Sequence, residues 1–306
     1  MIDFVRVFIN DKEKFENNLS KTNLLELRSS VNRFTGEIQE YPQEGNYKNL
    51  YVKITQNQAS FEGSFHRFYN EYENLGSQNF NDFSYCEFEF VRGVLCTKFG
   101  FNPKSTKITS LEFGVNIELE ENPQGIIDRK ILMYDFKPPN RNQKFRGKGD
   151  YLEFEMTDYS LKVYNKSKQY RLKNRYIMRF ELKISRSRYL KKLGISTLQD
   201  LNIEAFERLY TELVKNIDKL LIVDEISPPI GLKMHDRVLF QNLTNPIYWR
   251  KLRENESYNV RSRYKRNIHK MISDNNLGET KTRLLLKIEE KYFQLIDCDK
   301  LLQIAA

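Results

Sequence analysis

Between Leu111 and Leu119 apolar and polar residues alternate. Leu111, Phe113, Val115, Ile117 and Leu119 fall on one side of an extended chain, and Glu112, Gly114, Asn116 and Glu118 on the other. The same period of two recurs from Tyr159 to Lys166, where Tyr159, Leu161 and Val163 oppose Ser160, Lys162, Tyr164 and Lys166. It recurs again from Tyr176 to Ile184, where Ile177, Arg179, Glu181 and Lys183 form the polar set. Three strands are predicted, each with an oily and a polar side. If they share a sheet, one surface carries Glu112, Glu118, Glu181, Tyr164 and several lysines. An antiparallel sheet with one wet face gives the same alternation without any chemistry, so the pattern alone does not assign a function.

Strand-like runs dominate residues 1 to 120, among them Asn49 to Thr55 and Tyr85 to Phe90, whereas residues 12 to 32 read as helical. Ser185 to Leu193 is predicted to be a short helix stopped at Gly194, whose backbone freedom suits a helix end. From Leu198 to Ile222 the spacing of Ile203, Phe206, Leu209, Tyr210, Leu213, Ile217 and Leu220 predicts an amphipathic helix with a core-facing stripe. Ser227-Pro228-Pro229 marks a boundary. Beyond it a helix, a turn at Asp274 to Gly278 and a last helix from Glu279 to Ile296 are expected, the last burying Leu285, Ile288, Tyr292 and Leu295. The fold class is α+β: an antiparallel sheet-based core over residues 1–226 with amphipathic helices, and a helical basic C-terminal region over 227–306.

Composition sharpens this picture. A chain of 306 residues with 40% hydrophobic content, 18 Tyr and 21 Phe can bury a large core and is not a disordered tail. The net charge of +9 is uneven: residues 1–150 hold 20 basic and 21 acidic side chains, residues 151–306 hold 30 and 20. A polyanion is therefore expected to meet the second half. Arg141, Lys144 and Arg146 lie in a basic, breaker-rich stretch suited to gripping a nucleic-acid backbone. Arg186 and Arg188 follow the third strand and could hold phosphates near it. Arg261, Arg263, Lys265 and Arg266 interleave with aromatics on a helix that could dock in a duplex groove; a solvated helical cap reads the same way.

Three cysteines, Cys86, Cys96 and Cys298, form no pairing or ligand motif and are expected to be reduced, small core hydrophobes. No signal peptide and no run of ~20 apolar residues is visible, so the expected location is cytoplasmic, with no membrane contact. No phosphate-binding glycine loop or dinucleotide turn occurs, which disfavours a nucleotide cofactor.

The polar residues of the three strands carry their own chemistry. Carboxylate oxygens suit Mg²⁺ or Mn²⁺. Such an ion polarises a phosphodiester while a tyrosine oxygen attacks phosphorus, and Lys166 or Lys162 would favour the tyrosinate.

The segments Ile108 to Asn116, Leu161 to Lys166 and Met178 to Lys183 resemble, in order and spacing, the replication initiators of filamentous phages, gene II type, and related plasmid initiators. Gly63 to Asn70, with His66 and Arg67, is similar to a segment of the branch found in Bacteroidetes phages and mobile elements. Together the motifs span roughly residues 60 to 195. The resemblance implies a rolling-circle initiator: a site-specific nickase that stores one origin strand's 5′ phosphate on tyrosine and later rejoins it, acting on double- and single-stranded origin DNA with a host helicase and polymerase. It implies Tyr164 as nucleophile and Glu112 and Glu181 as ligands of Mg²⁺ or Mn²⁺. Where relatives often show Arg-x-Asp-x-x-x-Asp, this chain has Ser110, Glu112 and Asn116, so the second acidic ligand is either weakened or moved to Glu118. Tyr159, Tyr170 and Tyr176 remain rivals for the nucleophile. Other rolling-circle nucleases carry a paired-histidine metal motif; here His66, His235 and His269 are scattered. His66 reads as a DNA contact, a general acid at the site's edge or a packed, hydrogen-bonded residue, with Lys162 and Arg179 as further DNA contacts. A regulator that keeps this fold and binds DNA without cleaving it is the rival reading, and an RNA-binding sheet a weaker third.

Overall fold

The computed structural model describes residues 1–140, 144–145 and 149–298. The chain opens with β1 (Ile2–Ile9), α1 (Lys12–Thr22), β2 (Arg28–Val31), β3 (Ile38–Tyr47), β4 (Leu50–Ile54) and β5 (Ala59–Ser64). Helices α2 (Phe65–Tyr72) and α3 (Tyr85–Phe99) lead to β6 (Thr106–Glu118), α4 (Pro123–Arg129) and β7 (Ile131–Tyr134). Next come β8 (Lys144–Phe145), β9 (Gly149–Glu155), β10 (Tyr159–Asn165), α5 (Lys166–Tyr170), β11 (Ile177–Ile184) and α6 (Ser187–Lys192). A 3-10 turn (Leu198–Asp200), α7 (Ile203–Asp218) and β12 (Leu220–Ile222) precede α8 (Met234–Leu243), α9 (Pro246–Asn255), α10 (Tyr258–Asp274) and α11 (Glu279–Ile296).

Ten strands form one sheet in the order β2-β3-β4-β5-β1-β6-β11-β10-β9-β8, and β7 pairs with β12 in a second. The pairings are antiparallel, so the fold is α+β. The three strands with the alternating motifs are neighbours, β6 beside β11 beside β10. Their apolar side chains, Leu111, Phe113, Val115, Leu161, Val163, Phe180 and Leu182 among them, are fully buried in a core that α3, α7 and α11 complete with Phe88, Phe206, Leu213, Leu284 and Ile288. Burying one such side chain contributes roughly 1.5–3 kcal/mol, which fixes the opposite, polar faces in register with one another.

A second cluster holds Met133, Phe136, Leu221 and Val223 against Phe240, Leu243, Trp249, Leu252 and Ile268. Helices α8 to α10 thus pack on the small sheet, while α11 returns to the main core through Leu284, Ile288, Tyr292 and Leu295. Residues beyond 226 are shared between two cores. Among the described residues no helix is long and apolar enough to cross a membrane.

Several local expectations are corrected. Tyr85 to Phe90 begins α3 and is no strand, because Ser84 and Glu87 form a capping box and Phe88, Val91, Leu95 and Phe99 continue a helical stripe to Gly100 in the left-handed region. The helix expected over 12–32 stops at Thr22, and Arg28–Val31 joins the sheet edge. The one expected from Leu198 begins at Ile203 and ends at Asp218; Leu220–Ile222 pairs with β7 instead. Cys86 and Cys298, expected to be unpaired, form a disulfide with Cα atoms 5.8 Å apart, tying the first turn of α3 to the chain just past α11; Cys96 is free. The shorter helix at Ser187–Lys192 and its stop at Gly194 (φ +71°) are as expected.

Candidate active site

Cross-strand register sets the polar side chains of β9, β10, β11 and β6 in rows. One row is Glu153, Lys162, Glu181 and Gly114; the next is Tyr151, Tyr164, Arg179 and Asn116; Ser160, Lys183 and Glu112 form a third. In the first row Lys162 therefore stands between Glu153 and Glu181, and in the third Lys183 stands beside Glu112, so opposite charges face each other across the strands.

Lys162 Nζ lies 3.3 Å from Glu112 Oε1 and 3.2 Å from Glu181 Oε1. Lys183 reaches the same Glu112 oxygen at 3.3 Å. Tyr164 donates its hydroxyl to Glu181 Oε2 at 3.2 Å, and Arg179 Nε donates to that oxygen at 2.9 Å. Arg179 also donates through Nη1 to Asn116 Oδ1 at 3.0 Å and through Nη2 to Asp3 Oδ2 at 3.4 Å. The guanidinium crosses β6 over Gly114, where a Cβ would lie 3.1 Å from Nη2 and 2.5 Å from the Phe180 carbonyl oxygen. Only glycine leaves that room.

Asp3 closes the network from β1: Ser64 donates to one of its oxygens, and Asn79 Nδ2 to the other at 2.6 Å. Tyr170 donates to Asn79 Oδ1 at 2.6 Å. Lys166, 1% exposed, holds its Nζ 5.4 Å from the Tyr164 ring centroid and 5.3 Å from that of Tyr170.

Burial shifts the titration of the innermost groups. It raises Tyr164 well above 10, with Glu181 adding to the effect, so the phenol is neutral. Burial also raises Glu112, reinforced by Glu181 and opposed by Lys162. For Glu181 burial is outweighed by Lys162 and Arg179, which hold the carboxylate ionised. Lys166 is lowered to about 7, by burial first and Arg179 second.

Glu112 and Glu181 converge on one positive centre, the Lys162 ammonium. Two carboxylates meeting at a cation are a donor set that Mg²⁺ accepts when waters and substrate phosphates supply the rest, so these two residues fit the expected ion if Lys162 gives way. Among the described residues no group of three or more His, Cys, Asp or Glu side chains is arranged to hold a metal.

The structure brings Tyr164, Lys166, Glu112, Glu181, Lys162 and Arg179 together. It leaves Glu118 apart: at the far end of β6 that carboxylate accepts from Arg175 Nε and Nη2 at 3.0 and 3.1 Å. His66 is buried, stacked on Phe83 at 4.9 Å and bonded to Asn81 Oδ1 at 2.9 Å; burial lowers its pKa to about 3. It is a packed, neutral residue and not a surface DNA contact. Arg179, 2% exposed and wholly engaged in the network, is no surface contact either. Arg67 lies on α2 beside Glu71, 3.6 Å away. Arg186 is exposed at the start of α6, and Arg188, also exposed, pairs with Asp158. Arg261, Arg263, Lys265 and Arg266 lie on α10, away from the sheet. Arg141 and Arg146 lie outside the described residues, as does the side chain of Lys144.

Of the rival tyrosines, Tyr159 is on the core side, its hydroxyl 3.2 Å from that of Tyr134, and Tyr176 precedes β11. Sequence reasoning missed Asp3, Glu153 and Tyr151. Glu153 and Tyr151 occupy alternate positions of β9, a period-two signal that was available; Asp3 sits where β1 shifts register and its alternation breaks.

No protein-family model matches the chain, and no curated protein sequence does. Among solved structures, a rolling circle replication initiator protein from Geobacillus stearothermophilus is similar over 78% of this chain and 90% of its own, with 13% sequence identity and a TM-score of 0.43.

Proposed function

We propose that the protein is a rolling-circle DNA replication initiator that nicks one origin strand through Tyr164. The observation that carries this reading is the Tyr164 hydroxyl donated to Glu181 inside a cluster of balanced charge on three adjacent strands. In the proposed step the Tyr164 oxygen attacks a backbone phosphorus, the phenol proton passes to Glu181, the bond from phosphorus to the 3′ oxygen breaks, and the departing 3′ oxygen takes a proton from water. A 3′ hydroxyl end and a 5′ phosphotyrosine result, and the reverse reaction rejoins the strand without a nucleotide cofactor. Arg179 holds Glu181 in place, and Lys166 beside the ring favours the developing tyrosinate. An Mg²⁺ or Mn²⁺ ion held by Glu112 and Glu181 would polarise the phosphodiester. Strand separation and copying fall to a host helicase and polymerase in the cytoplasm.

Tyr164 is 4% exposed, so the network has to open around its hydroxyl when a strand binds. Tyr151, directly across on β9 and less deeply buried, carries a second reading as the attacking residue. Supercoiled DNA bearing the origin, incubated with wild-type, Tyr164→Phe, Tyr151→Phe and Glu181→Gln proteins, separates them. Nicking lost in Tyr164→Phe and Glu181→Gln but kept in Tyr151→Phe is expected. The opposite tyrosine pattern moves the nucleophile to β9, and origin binding without any nicking leaves a non-catalytic regulator.

A further inference from the structure

Away from the large sheet, where the turn after β7 meets α9 and α10, a cavity of about 170 Å³ is lined by Lys137, Arg253, Arg261 and Lys265, with Asp135 as the one acid among the described residues that line it. Its net charge is thus +3. Behind the cations stand Phe136 and Trp249, ring centroids 4.2 Å apart, and Tyr258 lines the cavity with 74% of its surface exposed.

The cations are held by the fold. Arg253 Nη1 donates to the Phe136 carbonyl at 2.9 Å, and Arg261 Nη1 to the carbonyls of Arg253 and Glu256 at 3.2 and 3.3 Å. Each contact uses one nitrogen of a fork that carries five donors. Lys265 lies 2.6 Å from Asp135 and over the Phe136 ring at 5.0 Å. Asp135 and Phe136 adopt φ of +43° and +63°, a left-handed turn that costs a non-glycine residue on the order of 1 kcal/mol or more. That turn is what delivers Phe136 to Trp249 and Asp135 to Lys265.

We propose that this cavity binds a phosphate group of a nucleic-acid strand, with Tyr258 stacking on the adjacent base. It is smaller than the ~300 Å³ at which pockets for whole small molecules begin, yet holds two guanidinium forks of the kind that grip phosphate. An exposed aromatic beside clustered cations is the pairing that single strands use. Arg263 and Arg266, exposed on the same helix, continue the positive surface. The site shares no residue with the Tyr164 network, so it stands or falls apart from the nicking chemistry.

Trp249 is the sole tryptophan of the chain and reports on the cavity directly. The full-length protein would be titrated with a short single-stranded oligonucleotide, and separately with inorganic phosphate, following Trp249 emission and the anisotropy of a labelled strand. A saturable emission change with the strand is expected. Arg261→Gln should weaken strand binding about tenfold and lower the salt slope by about one. Asp135→Asn, which removes that acid, should tighten it several-fold, a result that misfolding would not produce. The proposal is overturned by strand binding that leaves Trp249 unchanged, by an absence of strand binding, by either variant binding as wild type does, or by inorganic phosphate matching the strand.

Discussion

Gly114 shows how one residue holds the candidate site together. A methyl group there would meet the Phe180 carbonyl oxygen and the Arg179 guanidinium, so Gly114→Ala should cost about 1–3 kcal/mol and lower the melting temperature; an unchanged melting curve would show that Arg179 has room to move. Lys166 gives a pH test with a definite sign. Its folded pKa of about 7 lies below the ordinary 10.5, so between these values the unfolded chain binds more protons and stability rises with pH. Lys166→Met removes a buried charge. It should raise stability most below pH 7, by a few kcal/mol, because each tenfold loss of proton affinity on folding costs about 1.4 kcal/mol; the gain should fade towards pH 10.5. Urea unfolding across that range measures it, and a pH-independent effect would contradict the assignment. Tyr164, Glu112 and Glu181 were legible because period-two alternation puts them on polar faces. Asp3 was not, because a register shift in β1 between Ile2 and Val5 leaves no alternation to follow. For His66 the aromatic neighbours left a DNA contact and a packed residue both open, and only its burial against Phe83, a tertiary fact, decides for packing.

Among the elements, α3 separates what local sequence encodes from what it only suggests. Tyr85 to Phe90 alternates like a strand, but the Ser84–Glu87 box starts a helix and the later apolar positions continue it. Ser84→Ala should therefore cost about 1 kcal/mol, read as a lower urea midpoint; no change would mean that core packing alone sets the helix start. The β2–β3 hairpin behaves differently. Phe34 at its tip is fully exposed and Val31 and Ile38 largely so, so Phe34→Ser should leave stability within roughly 0.5 kcal/mol. Strands β6, β10 and β11 were visible in outline because their alternation is long. Their order in the sheet was not, since β11 enters between β6 and β10 although it follows both in sequence, a pairing set by tertiary packing.

At the scale of the whole molecule, two cores and two polar surfaces divide the work proposed for the chain. The large sheet buries one face and gathers acids, lysines and Tyr164 on the other, while α8 to α10 build a smaller core and carry 9 basic against 4 acidic side chains over residues 234–274, half of the second half's positive excess. Composition located that charge but not the split of the C-terminal helices between cores, because α11 reaches the main sheet by contacts far apart in sequence. The proposed chemistry stands on a bond between Tyr164 of β10 and DNA. Its most direct test is to incubate the protein with origin DNA and Mg²⁺, digest the complex, and identify by mass spectrometry the residue linked to the 5′ phosphate. A nucleotide on Tyr164, absent when EDTA replaces the metal, is expected; an adduct on any other residue, or none with cleaved DNA present, would contradict it.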